Sequence, residues 1–428
     1  MNKYISDLCN FLDNSPVNFW AARTVCDRLD TAGFKALDMR DAWDITPGGK
    51  YYVIQNSSAV FAFIAGTGEP VAGYHIIAAH SDSPGFRIKP RCEMQCDGAV
   101  KLNTEVYGGP ILYTWFDRPL SVAGRVMLRS DNPLRPSTRL VRIDRPLLVI
   151  PDLAIHFNRA VNDGVKLSKQ KDMLPVIALG NNDSQGLIRN IVAAELGVDA
   201  ADILDYDLSL YLCEGARTVG LHNEMICSGR IDDLSMVHAG LTALLEGAAS
   251  DSRFTRVLAV FDNEETGSGT KQGAASPILE HILRRVNTSL GGSDDDFMRA
   301  VADSFMISAD NAHGFHPNYA EKYDPTNHPV LGGGPCIKVN ANCKYMTDAD
   351  SAAVFASICE LAEVPYQYFV NHSDVAGGST LGNILTSRIP LRGVDMGAPV
   401  WAMHSACETA STADHVYTIK AFSKFFAL

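Results

Sequence analysis

The chain has 428 residues, of which 46% are hydrophobic and 20% are charged, the composition of an ordinary globular protein. Its net charge of −12 disfavours nucleic acids and anionic membrane surfaces as partners, because both require a basic protein face. A chain of this length exceeds the usual single core of roughly 250–300 residues, so we expect two structural units.

The cysteines and the N-terminus indicate the compartment. Ten cysteines are scattered along the chain without the paired spacing of a zinc knuckle, which favours reduced thiols in a cytoplasmic protein. We expect no signal peptide, because residues 1–9 lack a basic region followed by an apolar core. No apolar segment reaches the ~20 residues of a membrane span. Any bound metal would therefore have histidine and carboxylate ligands.

The first part of the chain predicts a helix, a hairpin and a central strand. The helix follows Ser15-Pro16, and the hairpin covers residues 50–65. The strand covers residues 71–79 and ends in His80.

The pattern then changes to short β-type runs separated by turns. Helical periodicity is found in this part only over residues 187–196. We therefore predict an inserted β-rich domain at 89–222. The rest, 1–88 and 223–428, would form one discontinuous domain.

The second half alternates helical periodicity with short apolar strands. This alternation predicts an α/β fold with a mixed, mainly parallel sheet flanked by helices. Each strand is followed by residues of metal-ligand type: Glu264 and Glu265 after 257–261, Asp310 after 305–309, and His404 after 399–403. A capping-box pattern at 405–408 predicts that a helix starts there.

Residues of ligand type at several strand ends indicate a common site. Singly, each has an ordinary explanation, since Asp232 or Asp233, at the entry of a predicted helix, could simply be an N-cap. Because the carboxyl ends of parallel strands converge at one edge of a sheet, the set as a whole favours metal binding.

Two histidines and three carboxylates suit two divalent cations, with zinc the expected metal. Asp82, two residues after His80, is placed to orient that imidazole. Adjacent strand residues point to opposite faces, so Glu264 and Glu265 can serve one site only where the strand ends, which the turn at 266–269 would ensure. One glutamate would then bind metal while the other accepts a proton from the bound water.

Seven motifs carry a resemblance to a known family. They are His80-Ser81-Asp82-Ser83-Pro84, Tyr107-Gly108-Gly109, Trp115-Phe116-Asp117-Arg118, Asp262-Asn263-Glu264-Glu265, Ile307-Ser308-Ala309-Asp310, His316-Pro317-Asn318-Tyr319 and Ala402-Met403-His404-Ser405. With them the chain resembles the aspartyl aminopeptidases, a family of dinuclear zinc exopeptidases that also includes the yeast vacuolar aminopeptidase. The resemblance implies a zinc-exopeptidase-like fold.

The resemblance also implies a role for each candidate residue. Asp232 would bridge two zinc ions, His80 and Asp310 would complete one ion, Glu265 and His404 would complete the other, and Asp82 would support His80. Glu264 would act as general base for a hydroxide bridging the ions. The family's bridging aspartate is usually followed by asparagine, whereas Asp233 stands at that position.

Two further residues take roles only from the resemblance. Lys338 would meet the acidic side chain of the substrate, and His156 of the inserted domain would reach the neighbouring subunit's site. The family assembles as dimers built into a dodecamer, so the inserted domain would serve dimerisation. By themselves, Lys338 would be taken for a solvated strand lysine and His156 for an ordinary surface histidine.

These observations favour a metallo-aminopeptidase that removes N-terminal Asp or Glu from peptides. A broader or neutral aminopeptidase of the same family is the alternative. A second class is a non-catalytic scaffold that uses the metal for assembly, but a scaffold has no need of a base such as Glu264.

Overall fold

The computed structural model of this protein describes residues 2–180 and 184–428, which fold into two units. The first unit contains the chain up to Asp82 together with Ala216–Met403 and Glu408–Leu428. The second unit contains Ser83–Gly215 and the short segment His404–Cys407.

The strands explain where the boundaries between the two units lie. The sequence predicts an inserted domain at 89–222. A long strand of the second unit, Gly85–Cys96, begins before that range. The strand Arg217–Val219 pairs with Met225–Ser228 and belongs to the first unit.

Regular elements cover most of the described chain. The strands are β1 (Lys35–Leu37), β2 (Lys50–Gln55), β3 (Ala59–Ile64), β4 (Tyr74–His80), β5 (Gly85–Cys96), β6 (Ala99–Tyr107), β7 (Leu120–Leu128), β8 (Ser137–Arg142), β9 (Val176–Leu179), β10 (Ile203–Leu212), β11 (Arg217–Val219), β12 (Met225–Ser228), β13 (Thr255–Phe261), β14 (Phe305–Ala309), β15 (Ala312–His313), β16 (Cys336–Lys338), β17 (Gln367–Phe369), β18 (Arg392–Gly397), β19 (Pro399–Trp401) and β20 (Glu408–Ser411). The α-helices are α1 (Lys3–Asp13), α2 (Asn18–Thr31), α3 (Leu187–Leu196), α4 (Ile231–Glu246), α5 (Ile278–Ser289), α6 (Asp294–Ala302), α7 (Ala349–Leu361), α8 (Leu381–Thr386) and α9 (Thr412–Ala427).

The first unit is organised around a nine-stranded sheet with the order β1-β2-β3-β13-β4-β14-β18-β16-β17. Its central strands β13, β4, β14 and β18 run parallel to one another, and antiparallel pairs join β3 and β16 to them. All seven residues of β4 are buried, because helices cover both faces of the sheet. The predicted mixed, mainly parallel sheet flanked by helices is thereby confirmed.

Alternate residues of β4 divide the core of this unit into two layers. Ile76 and Ala78 pack in a cluster with side chains of α5, α6 and α8. Ile77 and Ala79 pack in another cluster with side chains of α1, α2, α4, α7 and α9. The two-residue period of a strand thus explains why this apolar segment has no polar face.

The strand before His404 lies in a different sheet, which corrects one expectation. β19 belongs to a five-stranded sheet with the order β11-β12-β20-β19-β15. The helix start predicted at 405–408 is also wrong, because Glu408–Ser411 is a strand that pairs with β12 and β19. The helix begins only at Thr412, where Ser411 caps it by accepting the backbone N–H of Ala413.

The second unit contains a six-stranded sheet with the order β8-β7-β10-β5-β6-β9, in which every described pair is antiparallel. Helix α3 packs Ile188 and Val192 into its core beside Leu120 and Val122. Within the described ranges, every helix falls short of the length or the apolarity that a membrane span requires.

Candidate metal centre

His80 is the last residue of β4, and its side chain is held in a defined orientation. Nδ1 lies 3.0 Å from the backbone carbonyl oxygen of Asp82 and 3.4 Å from that residue's Oδ1. Nε2 lies 3.8 Å from Oδ1 of Asp232. When Nδ1 donates to the carbonyl, Nε2 is left with the lone pair, the arrangement of metal-binding histidines.

Asp82 also holds the turn that carries the two glutamates. Its Oδ1 accepts the backbone N–H of Glu264 at 3.1 Å, and its Oδ2 accepts that of Glu265 at 3.2 Å. From the sequence, His80 is the only expected partner of Asp82. Because backbone contacts of this kind have no sequence pattern, only the structure could identify them.

The turn itself begins earlier than the expected 266–269. Strand β13 ends at Phe261, and Asn263 adopts the left-handed region with a φ of 62°. Asparagine tolerates that region better than most residues do. Glu264–Thr266 then form a turn of 3₁₀ helix, so both glutamates already lie beyond the strand.

The Asp232-Asp233 pair lies at the irregular start of α4, where both residues have non-helical dihedral angles. The backbone N–H of Asp232 donates to Oε2 of the buried Glu408 at 3.1 Å. Oδ2 of Asp233 accepts the backbone N–H of His80 at 3.1 Å. The sequence does not single out Glu408 as a residue of this region, because its side chain contacts a backbone N–H group, which has no sequence pattern.

Within the first unit, these side chains and Asp310 form two overlapping groups of possible ligands. One ligand atom each from His80, Asp232, Asp233 and Asp310 lies within 4.8 Å of the others. The same limit holds for His80, Glu264 and Glu265. The first group is buried, and the two glutamates are partly buried. The strand ends of the first unit therefore bring together the ligand types expected there.

The electrostatics of the group show an excess of buried negative charge. Burial raises the pKa of the Glu264 carboxyl group to about 8, and nearby carboxylates add to the rise. Burial also raises the pKa of Glu265 and of Asp233 well above their usual values. Burial lowers the pKa of His80, but Asp233 and Asp82 outweigh this effect, so that the pKa is raised.

The residues present fit a divalent metal. Oδ1 of Asp233 is buried and has no hydrogen-bond partner among the described residues. An unsatisfied buried carboxylate oxygen is costly unless a cation or a proton meets it. Mixed imidazole and carboxylate donors are the ligands that zinc accepts in catalytic sites.

Lys338 lies at the end of β16 and is buried rather than solvated. Its Nζ is 3.3 Å from Oδ1 of Asp310, and the lysine is only 3% exposed. Burial lowers the pKa of this amine, but Asp310, with smaller effects of other neighbours, outweighs burial and raises the pKa. The Lys338 ammonium group therefore lies directly beside a carboxylate of the site.

The structure places His404 and His156 in the second unit. His404 is the third residue after the end of β19 and has a φ of 69°. Its Nδ1 lies 3.1 Å from the backbone oxygen of Gly109. As with His80, donation from Nδ1 presents Nε2 as the acceptor. His156 lies on an exposed segment without regular secondary structure.

The chain matches known proteins along nearly its whole length. A family model described as "Aminopeptidase I zinc metalloprotease (M18)" matches residues 11–426. A relative from Clostridium novyi (strain NT), described as "Probable M18 family aminopeptidase 2", is 47% identical over 430 residues, covering 100% of this chain and 99% of the relative. A relative of the same description from Clostridium acetobutylicum is 48% identical with the same coverage. A solved structure, described as "Cryo-EM structure of the Ape4 and Nbr1 complex", superposes with a TM-score of 0.95 at 35% identity, covering 99% of this chain and 85% of that chain.

Proposed function

We propose that this chain, which belongs to the aminopeptidase I (M18) family of zinc metalloproteases, prefers peptides with an N-terminal aspartate or glutamate as its substrates. The observation that carries this preference is the buried Lys338 amine, 3.3 Å from Asp310 in the candidate metal centre. A buried cation beside the site favours substrates with a negative side chain. The alternative is a broad or neutral specificity within the same family.

The proposed metal set contains two divalent cations, most simply zinc. Asp232 would bridge them, with His80 and Asp310 completing one ion and Glu265 and His404 the other. When bound, the cations would polarise the scissile carbonyl group and lower the pKa of the attacking water. The buried carboxylates and the orientation of the His80 ring support this assignment.

We assign Glu264 as the general base. Its carboxylate would take the proton from the attacking water and deliver it to the leaving amine. The backbone of its turn is held by Asp82, so the Glu264 side chain is not required to hold the turn in place.

Replacing Lys338 by alanine is expected to lower kcat/KM on an aspartyl anilide by roughly 30-fold or more, because losing one partner of a buried charge pair costs about 2–5 kcal/mol. Hydrolysis of a leucyl anilide should change much less. Steady-state kinetics on both substrates measure the difference. The exposed Lys344 offers a matched control, and Lys344→Ala should leave both rates unchanged. An equal loss of kcat/KM on both substrates would mean that Lys338 stabilises Asp310 and does not select the substrate.

We also propose a homo-oligomer, with a dodecamer built from dimers as the expected form and His156 reaching a neighbouring subunit's site. Next to the exposed His156, Leu153, Ile155 and Phe157 are 56%, 51% and 81% exposed. Clustered exposed apolar side chains favour a surface covered by another copy.

Sedimentation of the purified protein tests this assembly. We expect a large oligomer that Phe157→Asp breaks into smaller species, because a charge would be buried in the contact. A monomeric parent protein would contradict the proposal. The cytoplasmic location stays a prediction.

A further inference from the structure

Asp414 lies in the first turn of α9, and its carboxylate is fully buried. Oδ2 accepts the backbone N–H of Gly332 and Oδ1 accepts that of Gly334, both at 2.7 Å. Two short hydrogen bonds to one carboxylate are strong and fix the direction of the peptide groups that donate them. Asp414 therefore holds a turn that is distant from it in the sequence.

The turn held by Asp414 leads directly into the strand that carries Lys338. Gly332 and Gly334 have φ values of 90° and 98°, a region that favours glycine. A side chain at Gly334 would place its Cβ 2.1 Å from the backbone oxygen of Pro365. Gln367 holds the turn from the other side, because its Nε2 donates to the carbonyl oxygens of Val330 and Gly334 at 3.0 and 3.1 Å.

Strand β16 contains only three residues, so few ladder hydrogen bonds fix its position along the sheet. Its first residue, Cys336, comes two positions after Gly334, and its last is Lys338. A rigid turn at one end of so short a strand determines how far the lysine at the other end extends. Displacement of a positioned group by about 1 Å can cost roughly 10²-fold in rate.

We propose that Asp414 is a positioning residue for substrate selectivity, which acts by fixing the Gly332–Gly334 turn and hence the place of the Lys338 amine. This inference rests on the proposed acidic preference. Asp414 is not among the candidate metal ligands, and both of its carboxylate oxygens accept backbone N–H groups of the glycine turn. Its loss should therefore change selectivity between substrates rather than the hydrolytic step.

The test compares kcat/KM on aspartyl and leucyl anilides for the parent protein, Asp414→Asn and Gly332→Ala. In Asp414→Asn, the amide nitrogen faces an N–H donor, so one of the two hydrogen bonds is lost. Gly332→Ala strains the turn, because alanine disfavours the positive φ of that residue, but it leaves Asp414 unchanged. This variant provides the test if Asp414→Asn does not fold. In both variants we expect the Asp/Leu ratio to fall by about 10-fold or more through a higher KM for the aspartyl substrate. Leucyl hydrolysis should stay within about two-fold.

Thr418→Val is the matched control, because its Oγ1 donates to the Asp414 backbone oxygen within α9 and does not bond the turn. This variant should keep the parent ratio. An equal loss on both substrates in Asp414→Asn and Gly332→Ala, or an unchanged ratio, would overturn the inference. If Lys338→Ala abolishes the preference while these two variants keep it, only the inference fails. A parent protein without acidic preference would overturn the proposed specificity as well.

Discussion

Replacing Glu264 by glutamine is expected to lower kcat by about 10²–10⁴-fold while metal content stays at the parent level. Glutamine keeps the size of the side chain but cannot accept a proton from water at neutral pH. The turn should persist in the variant, because it is held by backbone N–H groups that donate to Asp82 and not by the Glu264 side chain. Kinetics combined with metal analysis of the same sample measure both properties.

Glu265→Gln is the matched control for this experiment, since it changes the neighbouring carboxylate of the same turn. Because Glu265 is a proposed ligand, the Glu265→Gln variant should bind metal more weakly than the parent protein. The activity of this variant should recover in part when excess zinc is added. Near-normal turnover in Glu264→Gln with full metal would show that another group takes the proton. Loss of metal in both variants would instead make Glu264 a ligand.

Removal of the metal is expected to destabilise the protein, and more strongly as the pH rises. Without cations, the carboxyl groups of Glu264, Glu265 and Asp233 have folded-state pKa values above those of the unfolded chain. Between the two values the folded state binds more protons than the unfolded state. The free energy of unfolding of the metal-free protein therefore falls as the pH rises through that window.

For Glu264 this window runs from its ordinary value of 4.5 to about 8. Cations compete with protons for the same carboxylates, so the stability gained on zinc binding should grow over this range. Thermal unfolding at pH 5, 6.5 and 8, with zinc or with a chelator, measures the gain. Asp233→Asn should make the decline of the chelated protein shallower, because it removes one of the three groups. A chelated protein that becomes more stable towards pH 8 would contradict the expectation.

The family match confirms the resemblance carried by the sequence motifs and favours an enzyme over a non-catalytic scaffold. The acidic preference, the role of each site residue and the number of cations stay predictions. The experiments on Lys338, Glu264 and Asp414 address them separately.

Several features of this protein could be predicted from the sequence because local periodicity determines them. The apolar runs within β4, β13 and β14 indicate strands covered on both faces, and such strands occur in parallel sheets. Because parallel strands end at one edge, the polar residues His80, Glu264 and Asp310 could be expected to meet there. Their chemistry then pointed to metal before any contact was known.

Other features were decided only by the tertiary structure, because they depend on contacts between distant parts of the chain. The pattern at 405–408 is that of a helix cap, yet pairing with β12 and β19 makes Glu408–Ser411 a strand. Lys338 has the sequence context of an exposed strand residue, and burial beside Asp310 is visible only after folding. Every residue except proline has a backbone N–H group, so a sequence does not indicate which of these groups a carboxylate will bind. The hydrogen bonds of Asp82 to the glutamate turn and of Asp414 to the glycine turn could therefore not be predicted.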